Sequence, residues 1–369
     1  MLEPRVATLH MLGLGLSVGT PAEGITAPVV VVADEEELNA LGDAVRGKIV
    51  LFNNPMPPYD AVHGSRYGPT VKYRGIGARI SAAQGAVACL VRSVTAKSLR
   101  SPHTGAMRYG DAEVKIPAAA ISVEDAEMIA RLQKRGIRVV VNLKMDAKTL
   151  PDAPSANVIG ELRGSTHPEE VVVIGGHLDS WDVGHGAHDD GAGCVMAMEA
   201  INVLRKLNMR PRRTIRVVLW TNEENGLAGG RAYAKQHADE LDKHVAAIES
   251  DSGAFAPRGY SLGCSDEDRK KVALRQMRQI MRHVARRLGS EINVKSGGGG
   301  ADISPLRSSG VVLMGHRVEG STYFDYHHTH ADTIDKVDPK ELSRNVAMLA
   351  TVAYILADMP QRIGETAPR

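Results

Sequence analysis

Aromatic residues are scarce in this 369-residue chain, at 4%, so its core must rest on Val, Ile, Leu, Ala and Met rather than on rings. Cysteine is scarcer still. Cys89, Cys194 and Cys264 stand far apart with no C-x-x-C, which leaves neither a disulfide framework nor a thiolate zinc finger legible. Neither sign of charge dominates, since 45 Lys and Arg face 43 Asp and Glu; a net charge of +2 is too small a field to gather nucleic acid or acidic lipid. Long apolar runs are missing too. Residues 10–18 are apolar, but Glu3 and Arg5 precede them, no small-residue cleavage site is clear, and the run is far too short to span a bilayer. It reads as mature chain. These absences exclude nucleic acid and membrane as partners and point to a small one.

What is present is ordinary for a soluble protein: 43% hydrophobic and 24% charged residues, with 37 glycines. The length suits a large α/β domain with a smaller lobe beside it. Short β-branched runs at residues 27–33, 48–53, 86–91, 116–121 and 137–143 predict strands of that lobe, with helices over 75–85 and 122–136. From residue 157 the runs become almost continuously apolar, at 170–176, 214–221, 245–249 and 310–314, with helical stretches at 191–207, 227–241, 266–288 and 339–359. This alternation predicts an α/β fold with a mostly parallel central sheet covered by helices on both faces. Residues 150–156, with two prolines, mark the expected border.

In such sheets ligands collect at the carboxyl ends of strands, and here those ends are polar and acidic. The first strand of the second region runs into His177-Leu-Asp179-Ser-Trp-Asp182, with His188-Asp189-Asp190-Gly soon after. Later ends offer Asn-Glu223-Glu224, Glu249-Ser-Asp251 and His327-His328-Thr-His330-Ala-Asp332. His177 and Asp179 sit two apart, so in extended chain they project to one side, where a carboxylate can fix the ring of a ligating His. Glu223 and Glu224 diverge, so one can hold a metal while its neighbour acts as a base on a bound water. Asp189 precedes a small-residue segment that opens a helix, where a carboxylate stays ionised and can bridge two cations. Taken singly, each has a bland alternative: a strand-end histidine, a solvated Glu pair, a helix-capping Asp, surface histidines. Their joint occurrence at successive strand ends favours a hydrolytic zinc site built from His and carboxylates.

These motifs resemble the co-catalytic zinc exopeptidases of clan MH, and most closely the plasma glutamate carboxypeptidase group. The similarity includes residues 1–24, the Gly297-Gly-Gly-Gly-Ala-Asp302 run and the final helix. The resemblance implies two zinc ions per chain, with Asp189 bridging, His177 and Asp251 completing one site, and Glu224 and His328 the other. It makes Glu223 the general base and Asp179 the orienter of His177. It also implies a division into residues 1–23 as an opening segment of the peptidase domain, 24–156 as an inserted protease-associated domain, and 157–369 as the dizinc domain. A homodimer acting on small peptides, outside the cytoplasm, follows from the same resemblance. The secretory signal and additional N-terminal segment usual in the group are not seen here.

The expected activity is therefore cleavage of dipeptides or of the ends of short peptides. Two other outcomes on this scaffold are a single-zinc glutaminyl cyclase, which is expected to lose part of the two-metal set, and a receptor-like binding ectodomain, which is expected to lack ligands or base. All five ligand positions and Glu223 are filled here. Five neighbours carry lesser expectations: Asp182, His185 and His188 solvate or brace the first loop, His327 assists at the oxyanion, and Asp302 faces a substrate ammonium.

Overall fold

Residues Val171 to Ile174 are apolar at every position, and in a computed structural model of the chain, which describes residues 1–289 and 291–366, their side chains enter two different cores. Val172 and Ile174 join Ile215, Val217, Ala246, Ile248, Val312 and Met314 on one face. Val171 and Val173 join Val218, Trp220, Ala247 and Leu313 on the other. Successive strand residues point to opposite faces, so a run with no polar member belongs to a strand covered on both sides.

The chain divides into two compact units: Met1–Ala153 with Phe324–Ala331, and Pro154–Tyr323 with Asp332–Arg369. In the first unit the strands are β1 (Met11–Gly13), β2 (Ile25–Val32), β3 (Ile49–Phe52), β4 (Ala88–Arg92), β5 (Ala118–Ile121) and β6 (Val140–Leu143), and the helices α1 (Glu35–Leu41), α2 (Tyr67–Ala83) and α3 (Val123–Lys134). Among the described residues they form one sheet in the order β1-β5-β4-β3-β2-β6, parallel at its centre and antiparallel at both edges. Residues 1–23, assigned by resemblance to the peptidase domain, place β1 in this sheet: Met11 to Gly13 pair with Ile121 to Ala119. The strand is short and carries a glycine, so nothing in its sequence announces its partner.

The second unit holds β7 (Val158–Leu162), β8 (His167–His177), β9 (Arg213–Trp220), β10 (His244–Glu249), β11 (Pro257–Gly263), β12 (Asn293–Ser296) and β13 (Val312–Val318). Their order is β12-β11-β13-β10-β8-β9-β7, and the inner four run parallel. Helices α4 (Ala192–Lys206), α5 (Ala228–Gln236), α6 (Glu267–Leu288) and α8 (Pro339–Asp358) complete it; a single turn, α7 (Tyr323–Tyr326), follows β13, and all of it but Tyr323 belongs to the first unit. α4, α6 and α8 cover one face; Tyr233 of α5 with Ile303 and Leu306 cover the other. The mostly parallel sheet with helices on both faces is thus as expected.

Local chemistry sets the helix ends. Asp266 accepts from the amides of Asp268 and Arg269 at the start of α6, and Asp338 accepts from Lys340 at the start of α8, where Pro339 needs no donor of its own. In α6 only Ala273, Met277, Met281 and Val284 are buried, a three-to-four spacing that leaves the Lys/Arg-rich side solvated. No helix among the described residues is long and apolar enough to cross a membrane.

Gly193 decides how closely α4 can approach the end of β10. A methyl group there would run into the Ser250 carbonyl and both Asp190 carboxylate oxygens. Gly193→Ala should destabilise the protein by about 3 kcal/mol, because the clash is with backbone rather than a flexible side chain. Urea denaturation checks this; an unchanged midpoint would mean that the helix withdraws at no cost.

Candidate metal centre

Three parallel strands end at one edge of the second sheet, and each end delivers acid or imidazole. β8 terminates at His177, β9 leads into Glu223 and Glu224, and β10 leads into Asp251. Asp189 comes from the loop before α4. His177 Nε2 lies 3.3 Å from Asp189 Oδ1 and 3.6 Å from Asp251 Oδ1. Candidate ligand atoms of His177, Asp189 and Glu224 all lie within 4.8 Å of one another. His177, Asp189 and Glu224 are buried, Asp251 is half-buried, and such crowding of carboxylates around one imidazole is costly unless a cation joins them.

Burial alone would lower the pKa of His177, but its contacts with Asp189 and Asp251 prevail and raise it well above the ordinary value. Glu223 is pushed up to about 8, first by burial and then by Asp251. The His177 shift reflects the acidic cluster around it, and the Glu223 shift reflects burial first and that cluster second. A buried donor set of imidazole and carboxylate without thiolate fits zinc in hydrolytic use.

Asp179 works differently from the expectation. The His177 ring is held by the backbone carbonyl of Asp179, 2.7 Å from Nδ1, whereas the nearer Asp179 carboxylate oxygen is 3.9 Å away. The carboxylate instead accepts the backbone amides of Glu223 at 3.0 Å and Glu224 at 3.3 Å. One residue therefore fixes the ring tautomer through its main chain and the Glu-Glu turn through its side chain. A spacing argument sees both groups but cannot tell which partner each takes.

Asp190, beside Asp189, accepts backbone amides at the end of β8 and in the first turn of α4. Its Oδ2 accepts from His177 N at 3.0 Å and its Oδ1 from Gly193 N at 3.1 Å. Burial raises its pKa well above the ordinary value. Asp332 braces the same loop, accepting from His188 N at 2.7 Å and Asp189 N at 3.1 Å. His188 stacks on Phe255 with ring centroids 4.4 Å apart, and its Nδ1 accepts from Ala254 N, which accounts for it structurally. Asp182 and His185 are exposed.

Three contributors escaped the sequence reading. The Trp181 indole donates to Glu224 Oε2 at 2.7 Å. Glu249 accepts from Ala301 N and Ile303 N, both at 3.0 Å, so it clasps the segment after the four glycines. Tyr323 is buried, and burial followed by the nearby Asp189 raises its pKa well above the usual phenol value. Signals for Trp181 and Glu249 were present, the first four residues after His177 and the second at an acidic strand end, though neither role could be read from them; nothing in the sequence marks Tyr323. Asp302 departs from its expected task. It is 1% exposed, and burial, then Glu249, push it up to about 9, which works against the anion an ammonium would seek.

His328, the remaining expected ligand, belongs to the first unit together with His327. The two rings stack 3.6 Å apart, and His328 Nδ1 lies 3.1 Å from the Thr104 carbonyl.

Comparison with known proteins agrees with this chemistry. The profile of Peptidase family M28 matches residues 157–353. Carboxypeptidase Q of Mus musculus is 44% identical over 366 residues, covering 98% of this chain and 74% of that protein. The Homo sapiens protein of the same name is 42% identical over 363 residues, with the same shares covered. Among solved structures, a peptidase M28 precursor from Shewanella amazonensis matches with a TM-score of 0.92 at 39% identity, over 100% of this chain and 82% of that one. BSAP, a zinc aminopeptidase from Bacillus subtilis, shares the fold with a TM-score of 0.66 at 20% identity, over 95% of this chain and 79% of its own.

Proposed function

This chain belongs to peptidase family M28 and is a zinc exopeptidase similar to carboxypeptidase Q, and we propose that it cleaves dipeptides or the terminal residues of short peptides at a two-zinc site with Glu223 as general base. The observation that carries this reading is the approach of His177 Nε2 to Asp189 and Asp251, with Glu224 in the same cluster and Glu223 next to it. In this reading His177 and Asp251 would hold one zinc, Glu224 and His328 the other, with Asp189 shared between them.

When bound, the two ions lower the pKa of a water molecule and polarise the scissile carbonyl. The protein does the rest. Glu223 takes the proton from the attacking water and delivers it to the leaving amine nitrogen. Asp179 holds the amide of Glu223, which fixes where that carboxylate begins. Its carbonyl keeps the His177 ring turned so that Nε2 faces the acidic cluster. The Trp181 indole restrains Glu224 by occupying one side of its carboxylate. An insertion of strand-rich protease-associated type remains the reading for residues 24–156, with packing and substrate access as its tasks.

Chelation tests the proposal. Removing metal should abolish hydrolysis of a dipeptide panel, and two equivalents of zinc per chain should restore it, with about half or less recovered after one. Full activity in the metal-depleted protein, or saturation at a single equivalent, overturns the two-zinc site. Peptides blocked at either end, run in the same panel, separate amino-terminal from carboxyl-terminal recognition.

A further inference from the structure

The segment Phe324–Ala331 is packed as part of the first unit, although by sequence it falls inside the second region. Four ties hold it there. Lys97 Nζ donates to Asp325 Oδ2 at 2.8 Å, and the Asp325 side chain is only 11% exposed. Thr104 and His328 bond twice: Thr104 N donates to the His328 carbonyl at 3.1 Å, and His328 Nδ1 lies 3.1 Å from the Thr104 carbonyl. Arg74 Nη1 also donates to that carbonyl, at 3.3 Å, while its Nη2 donates to the Tyr67 hydroxyl at 2.7 Å. The Tyr67 ring in turn stacks on Phe324 with centroids 4.9 Å apart.

Two backbone features accompany these ties. His328 has φ 59°, in the left-handed region that residues other than glycine adopt uncommonly. Gly105 has φ 142°, and a Cβ there would strike the Arg74 guanidinium, so the glycine leaves the room through which Arg74 reaches Thr104. Thr104 is itself anchored, its hydroxyl donating to the Gly13 carbonyl at 2.7 Å.

We propose that Arg74, Lys97 and the Thr104 carbonyl are positioning residues for His328, so that the first unit sets the metal-binding competence of that histidine. With Nδ1–H donated to the Thr104 carbonyl, the tautomer is fixed and Nε2 carries the lone pair a divalent cation takes. Lys97 holds the segment through Asp325, and Arg74 holds the carbonyl and, through Tyr67, the Phe324 end. The inference rests on the reading of His328 as a zinc ligand, and assigns to the first unit a task beyond packing and substrate access.

Cobalt titration of the metal-depleted full chain tests it, with the visible absorption spectrum reporting coordination equivalent by equivalent. The parent, Lys97→Met, Lys97→Arg, Arg74→Gln and His328→Ala are compared, and circular dichroism confirms the fold of each. Lys97→Met and Arg74→Gln should weaken one equivalent by about 10- to 100-fold and leave the other unchanged; Lys97→Arg should restore both. If Lys97→Met does not fold, Arg74→Gln decides alone. Unchanged affinity for both equivalents, or equal weakening of both, overturns the inference while leaving the two-zinc reading intact. A parent that binds fewer than two equivalents, or His328→Ala that still binds two as tightly, overturns the ligand assignment and the inference with it.

Discussion

Glu223→Gln should lower kcat by about a thousandfold or more while leaving metal content and fold unchanged. The substitution keeps the shape of the side chain and the backbone amide that donates to Asp179, so the Glu-Glu turn has no reason to move. What it removes is the only property the mechanism asks of this residue, the ability to accept a proton. Half-buried and pushed up to about 8 by burial and then by Asp251, Glu223 would in the proposed role be a stronger base than an exposed glutamate, and bound zinc would favour its ionised form. Zinc analysis, melting temperature and dipeptide hydrolysis on the same preparation check all three parts. Hydrolysis at the parent's rate would remove Glu223 from the reaction.

Asp189→Asn should fall further, because in the proposed two-zinc site it would strike both metals at once. An amide oxygen is a poor bridge between two cations, so the variant should hold about one zinc or fewer and lose turnover by about a thousandfold or more. A sharper readout separates a ligand from a merely structural residue. Asp189 lies 3.3 Å from His177 in a cluster that includes Asp190, Asp251 and Glu224. Removing one negative charge from it relieves repulsion, so the metal-free variant should melt at or above the temperature of the metal-free parent. Zinc should then raise the parent's melting temperature strongly and the variant's little, since a ligand stabilises only in proportion to its binding. A variant that melts well below the parent without metal, yet gains as much from zinc, would show that Asp189 holds the loop and not the metal.

Much of the second unit was legible because its strands are buried on both faces and so read as unbroken apolar runs; residues 170–176 and 245–249 fall within β8 and β10. The edge strands were not. β7 and β12 at the two edges, and β11 beside β12, mix polar residues or glycine with apolar ones, and no expectation named them. The same distinction runs through the site. Histidine and carboxylate at successive strand ends are visible in the chain, because strand direction alone brings those ends to one edge. Hydrogen-bond partners are not: Asp179 meets Glu223 across 44 residues, and Asp332 meets His188 across 144.

The order of residues by itself determined the layered α/β fold and the supply of imidazole and carboxylate at one edge of its sheet, since hydrophobic periodicity and strand polarity are local properties. Only the tertiary structure decided that a carbonyl rather than a carboxylate steadies His177, that Asp302 is buried, and that Thr104 faces His328 across 224 residues of chain. Burial and pairing depend on what packs against a group, and that neighbour is chosen by the whole fold rather than by the few residues on either side.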